Sequence, residues 1–176
     1  MSILTQLVQI ILRKRQPQDL EYSVMAAVVA VVGQFVMQAA IMSGAEQYSQ
    51  PIAYGLVYTV ANVVGVLLLL RLYKKEARFV QCISALLGVS LILQFMSIFA
   101  FSSGILAFTG VMMWFWNMYL LVLILRVSLD TSMMTSVLLT IAYHFFVGFA
   151  MIVVFPDLQS EIISVWELAA EQAPPQ

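Results

Sequence analysis

Five stretches of about twenty residues, at 22–43, 52–73, 80–101, 105–126 and 132–155, are built almost entirely of apolar side chains. At 1.5 Å of rise per residue, each covers roughly the 30 Å of a bilayer's hydrocarbon. Each is therefore predicted to cross a membrane as one α-helix, the form in which an isolated segment can bond all its own backbone N–H and C=O groups in lipid. The links between them, GAEQYSQP, KKEAR, SSG and VSLDT, are short. Such brevity predicts that consecutive helices lie antiparallel and side by side in one bundle.

The ends follow a different pattern. In residues 1–20, Ile3, Leu4, Leu7, Val8 and Ile11 recur at helical spacing, with Ser2, Thr5, Gln6 and Gln9 between them. This segment is too short to span and predicts an amphipathic helix lying in the membrane interface, followed by a basic linker. It does not fit a signal peptide, because Arg13, Lys14 and Arg15 follow the apolar part and no small-residue cleavage site comes after. Asp19, just after Pro17, is positioned to cap the first crossing. Pro156 ends the fifth. In residues 157–176, Leu158, Ile162, Val165, Trp166 and Ala169 fall on one side of a helix with acids on the other, which predicts a second interfacial helix before the tail APPQ. The expected fold is all-α: an integral membrane five-helix bundle, residues 21–156, with a short amphipathic helix at each end.

Charge orients this bundle. Four of the eight basic residues, Arg71, Lys74, Lys75 and Arg78, sit in the link after the second crossing. Under the positive-inside rule that link is cytoplasmic. All the other basic residues, Arg13, Lys14, Arg15 and Arg126, then fall on the same side, while Glu46, Asp157, Glu161, Glu167 and Glu171 fall opposite. An N-in, C-out protein of a bacterial inner membrane is the reading. The chain has 176 residues, 62% hydrophobic and 10% charged, with a mean hydropathy of +0.97. An ordinary soluble domain has about a quarter of its residues charged. A net charge of −1 gives no reason to expect nucleic acid, and the single cysteine, Cys82, has no partner for an intrachain disulfide or a thiol zinc site.

Each crossing has one strongly polar residue near its middle: Gln34, Asn62, Gln94, Asn117 and His144. Counted from the segment ends, all five lie within about a turn of the midplane, so they form one layer if all point inward. Two accounts of such a layer stand. Amides in lipid act as interhelical glue, at roughly 0.6–2 kcal/mol each. Alternatively they line a polar cavity or a path for a small solute. His144, the only histidine, is satisfied as a neutral donor and acceptor beside Asn117 or another amide. It is one ligand, too few for a metal, and the eleven methionines form no MxxM repeat. Gln34 and Gln38 share a face and mark a packing seam with Gly33, Met37 and Ala40. The run WFWNMY at 114–119 reads as packing, or as an aromatic groove for a lipid or partner helix. Arg126 and Asp130 are spaced to pair if the helix continues through them.

No nucleophile with a base, phosphate loop or HExxH is present, so neither an enzyme nor a cofactor is expected. In RQPQDLEYS before the first crossing, ARFVQCISALLG leading into the third, LILR at 123–126 and FP at 155–156, the chain resembles a family of small uncharacterised proteobacterial inner-membrane proteins, loosely similar to the Yip1-like five-helix proteins. The resemblance implies Arg78, Phe79, Gln81, Ala85, Leu86, Gly88, Arg126 and Pro156 as family-like positions and carries no activity with it. The Arg71, Lys74, Lys75, Arg78 and Gln81 group suits an anionic headgroup or a partner's cytoplasmic segment, and is equally what topology alone requires. The expected role is a scaffold, adaptor or small subunit that contacts the lipid bilayer and a membrane-protein partner or further copies of itself. The other reading is a small-solute or lipid transporter built on the midplane layer.

Overall fold

The computed structural model describes residues 2–14, 16–43, 50–102 and 107–156. Among them lie helices α1 (Ile3–Ile11), α2 (Val24–Ser43), α3 (Pro51–Leu72), α4 (Phe79–Ser102), α5 (Ala107–Leu129) and α6 (Met133–Val154), with 3-10 turns at Pro17–Asp19 and Glu76–Arg78. Helices α2 to α6 are each long and apolar enough to cross a membrane, so the chain is a multi-pass membrane protein. The second amphipathic helix expected in 157–176, and most of the links GAEQYSQP and SSG, lie outside the described residues.

Local chemistry accounts for the ends. Pro51 occupies the first turn of α3, where its missing N–H is not needed, and Pro156 stands just beyond α6. Ser132 Oγ accepts the Thr135 N–H at 3.2 Å and starts α6. The expected cap at Asp19 is corrected: its carboxylate accepts the Gln16 N–H at 3.2 Å and closes the Pro17–Asp19 turn, while Ser23 Oγ accepts the Ala26 N–H and caps α2. Pro17 fixes a separate turn, and Leu20 to Ser23 carry the chain onward before α2 begins.

Helices α1, α3 and α5 finish in one manner. Arg13, Lys74 and Asp130 adopt left-handed backbone angles, with φ of 57°, 56° and 53°. The next N–H in each case reaches back five residues, from Lys14 to the Gln9 carbonyl (2.8 Å), Lys75 to Leu70 (2.8 Å) and Thr131 to Arg126 (3.1 Å). This is the Schellman ending, which glycine usually provides. At Arg13 and Lys74 the residue just past the negative end of the helix is a basic one, a charge that position favours.

Around the bundle the helices run α2, α3, α6, α5, α4 and back to α2. The expectation that consecutive helices are neighbours therefore fails at one place. Helix α3 packs chiefly on α2 and α6, and the link at 73–78 strides across the end of the bundle before α4 descends beside α2. The turn at Glu76–Arg78 supplies the reach. Where α2 and α3 meet, Gly55 is required: a Cβ there would lie 2.9 Å from both the Phe35 carbonyl oxygen and the Ala39 nitrogen.

The amino-terminal helix is not confined to the surface. Leu7 and Ile10 are buried, and α1 packs on α4 while Arg13 lies over the Tyr119 ring of α5 at 5.5 Å. Gln6 is buried too and accepts the Glu21 N–H at 3.1 Å. Leu4, Val8 and Leu12, four residues apart, stay exposed on the opposite face. With α2, α5, α1 and the Pro17–Asp19 turn all against it, α4 is buried at every residue from 82 to 90. Farther along, where α1 no longer covers it, Phe95, Met96 and Ile98 are exposed.

Candidate functional site

Gln34, Asn62, Gln94, Asn117 and His144, one from each crossing, all line one cavity of about 480 Å³ inside the bundle. Each stands about 15–23 Å along its helix from the basic end, near the midplane. Their bonds fall into three groups. Gln34 Nε2 and Gln38 Nε2 both donate to Gln94 Oε1, at 3.2 and 3.3 Å, tying α2 to α4. Tyr143 donates its hydroxyl to Asn62 Oδ1, tying α6 to α3, and Asn62 Nδ2 donates to the Tyr58 carbonyl at 2.7 Å. Ser90 Oγ donates to Asn117 Oδ1 at 3.2 Å, tying α4 to α5. These bonds are interhelical glue, and they run along the closed ring of helices.

The glue does not use every polar atom. Gln94 Nε2 and Asn117 Nδ2 have no acceptor among the described residues. His144 Nδ1 lies 2.7 Å from the Thr140 carbonyl, an oxygen that can only accept, so in the neutral ring Nδ1 carries the proton and Nε2 keeps its lone pair. In place of the expected pairing of His144 with Asn117 or another side-chain amide, Nδ1 bonds its own helix four residues back. Buried Gln34 Oε1, in the cavity wall, also lacks a partner among the described residues. Two amide donors, the imidazole acceptor and the Gln34 carbonyl are thus left over around a space whose wall combines leucines, methionines and Trp114 with Tyr58, Asn62, Ser90, Ser97 and Tyr143. No charged side chain lines it, and no group of three metal-binding side chains exists among the described residues.

Trp114 from the WFWNMY run forms part of this wall. The same run faces outward as well, onto an apolar groove of about 680 Å³ between α5 and α6, lined by Phe115, Tyr119, Ile141, Phe145 and Phe149 among others.

The basic link is largely engaged within the chain. Lys75 Nζ and Arg78 Nη1 bind the Asp130 carboxylate at 2.6 and 3.1 Å. Arg78 also donates to the Val127 and Ser128 carbonyls at 3.0 and 3.2 Å, satisfying acceptors that the end of α5 leaves open. These bonds, the Lys75 contact first and the Arg78 contact second, hold the Asp130 carboxyl below the usual carboxylate range. The expected Arg126–Asp130 pair is corrected, because α5 stops at Leu129 and the left-handed Asp130 departs from helical register. Gln81 Nε2 donates to the Leu20 carbonyl at 3.1 Å, while Arg71 and Lys74 remain exposed.

Sequence reasoning passed over Ser90, Tyr58, Thr140 and Tyr143. The signal was present for three of them: in four crossings the central polar residue has a second four positions before or after it, as Gln34 with Gln38, Asn62 with Tyr58, Gln94 with Ser90 and His144 with Thr140. No protein family, characterised protein or solved structure matches the chain.

Proposed function

We propose that the protein binds a small uncharged molecule inside the bilayer and transfers or carries it, as a non-enzymatic protein of a bacterial inner membrane with its basic end in the cytoplasm. The observation that carries this reading is the set of bonding groups left over around the cavity: Gln94, Asn117 and His144 line a space large enough for a small ligand, and Gln94 Nε2, Asn117 Nδ2 and His144 Nε2 lack protein partners among the described residues. Gln94, Asn117 and His144 are half-buried, and Gln34 Oε1 in the same wall is buried without a partner among the described residues. A buried polar group without a partner costs about 1–3 kcal/mol, so a molecule that supplies a hydroxyl is favoured there. With no charged side chain in the wall among the described residues, an ion would lose its hydration without compensation.

The scaffold reading keeps one observation in its favour, the interhelical bonds at Gln34, Gln38, Asn62 and Tyr143, which are structural. They act within this chain, and offer nothing to a partner helix. One experiment separates the two. Protein purified in mild detergent is analysed by native mass spectrometry, and retention of a small molecule, lost in Asn117→Leu and Gln94→Leu, supports the binding role. Stoichiometric recovery of another membrane protein, with the cavity empty in every preparation, supports the scaffold.

A further inference from the structure

Cavity and outer groove share three residues. Trp114, Met118 and His144 line the midplane cavity on one side and the apolar α5/α6 groove on the other, so these side chains form the partition between them. The groove follows α6 from Val137 to Ile152, about 22 Å of helix, longer than one leaflet's roughly 15 Å of hydrocarbon. Within it Gly148 leaves open space, since a Cβ built there meets nothing within 4 Å. Its wall has one titratable imidazole, His144, at the partition; Tyr119 supplies a phenol, and the remainder is apolar apart from Thr140.

Resting on the binding role above, we propose that the ligand is an uncharged amphipathic lipid that reaches the cavity sideways from the bilayer, between α5 and α6. Its chain lies in the groove and its hydroxyl- or carbonyl-bearing head passes the Trp114, Met118 and His144 partition to meet Gln94 and Asn117. Three features select this occupant. The groove is continuous with the polar cavity only across flexible or rotatable side chains, a methionine, an indole and an imidazole. Among the described residues neither space has a charged side chain, which disfavours a phosphate or carboxylate head. The leftover groups, two amide donors with His144 Nε2 and Gln34 Oε1 as acceptors, match a hydroxyl together with an ester or amide carbonyl. A bulk phospholipid satisfies the groove but not the cavity.

The test uses Trp114 as the reporter, in full-length protein carrying Trp116→Phe and Trp166→Phe and reconstituted in phosphatidylcholine vesicles. The probes are a monoacylglycerol and a phosphatidylglycerol, each brominated on its chain so that it quenches a nearby indole. Quenching by the monoacylglycerol at a mole fraction at least tenfold lower than by the phosphatidylglycerol is expected. Gly148→Phe fills the groove at a position with room for it, and should raise the required mole fraction of monoacylglycerol at least fivefold; Asn117→Leu should abolish the preference for it. If Gly148→Phe changes nothing while Asn117→Leu abolishes the preference, the lateral groove is overturned and the cavity role stands. Equal quenching by the two probes in all proteins means bulk lipid only, and overturns both. Size-exclusion profiles of the two variants identify a folding defect, and Gly148→Phe remains decisive where Asn117→Leu misfolds.

Discussion

Leu7 of α1 occupies the space that a side chain at position 88 of α4 would need: a Cβ on Gly88 would lie 2.8 Å from Leu7 Cδ1. The obstructing atom is the far end of a flexible side chain, so Gly88→Ala is expected to cost under about 1 kcal/mol, the leucine rotating aside. Gly88→Phe has no such escape and should lift α1 from the bundle. At Gly55 the obstruction is backbone of α2, and Gly55→Ala should cost more than Gly88→Ala, about 1–3 kcal/mol. Thermal unfolding in detergent of the three variants checks the order; equal costs at 55 and 88 would remove the distinction between backbone and side-chain obstruction.

Tyr143→Phe leaves Asn62 Oδ1 buried without its donor, and is expected to destabilise by about 1–3 kcal/mol. Adding Asn62→Leu should recover part of that loss, because the stranded acceptor goes with it. A double-mutant cycle by denaturing-detergent titration measures the coupling, which should be near zero if the bond between α3 and α6 contributes nothing.

At the basic end, Asp130 predicts a pH dependence. Its carboxyl is held below the usual range, near 3.9 for an unperturbed Asp, so its contribution is complete above that value and disappears as pH falls through the lower folded one. Asp130→Asn should flatten the melting curve's pH dependence below about pH 4, and salt should weaken the wild-type effect because the pair is exposed. Arg78→Ala removes two carbonyl bonds as well as the ion pair and should be the more damaging of the two at neutral pH.

Cys82, near the start of α4 at the basic end of the bundle, is 1% exposed and reports on the integrity of that end. A maleimide should label it at least a hundredfold more slowly in the native protein than in denaturing detergent, and Arg78→Ala should narrow that gap. Rapid native labelling would mean that the α4 surround opens readily.

The orientation is checked by fusions. Alkaline phosphatase after residue 176 should be active and green fluorescent protein at the same site dark, the reverse holding for fusions after residue 75, in accord with the side assigned to the basic residues.

Apolar runs of bilayer length made the five crossings legible, and counting from their ends brought Gln34, Asn62, Gln94, Asn117 and His144 to one depth. Depth is a one-dimensional property that rise per residue delivers. Azimuth is not: the four-residue spacing makes the Thr140 carbonyl available to His144 within its own helix, but whether Asn117 also comes within reach depends on how α5 and α6 are rotated. Neighbour order failed for a related reason. The six residues of the 73–78 link are enough either to turn back beside α3 or to stride across to α2, and only the packing of α3 on α6 decides between them. Asp19 was misplaced because a cap is read from adjacency, and Pro17 had already committed that carboxylate to a turn of its own.

The ring order has a consequence for synthesis. Since α3 finds its second neighbour in α6, the bundle cannot close until α6 has been made. A chain halted at residue 130 holds α2, α4 and α5 in contact, yet leaves Asn62 without Tyr143 and the cavity open along one side to lipid. Long-range pairing of this kind delays folding until α6 has entered the membrane, and exposes the nascent protein to membrane quality control for as long as that crossing is missing.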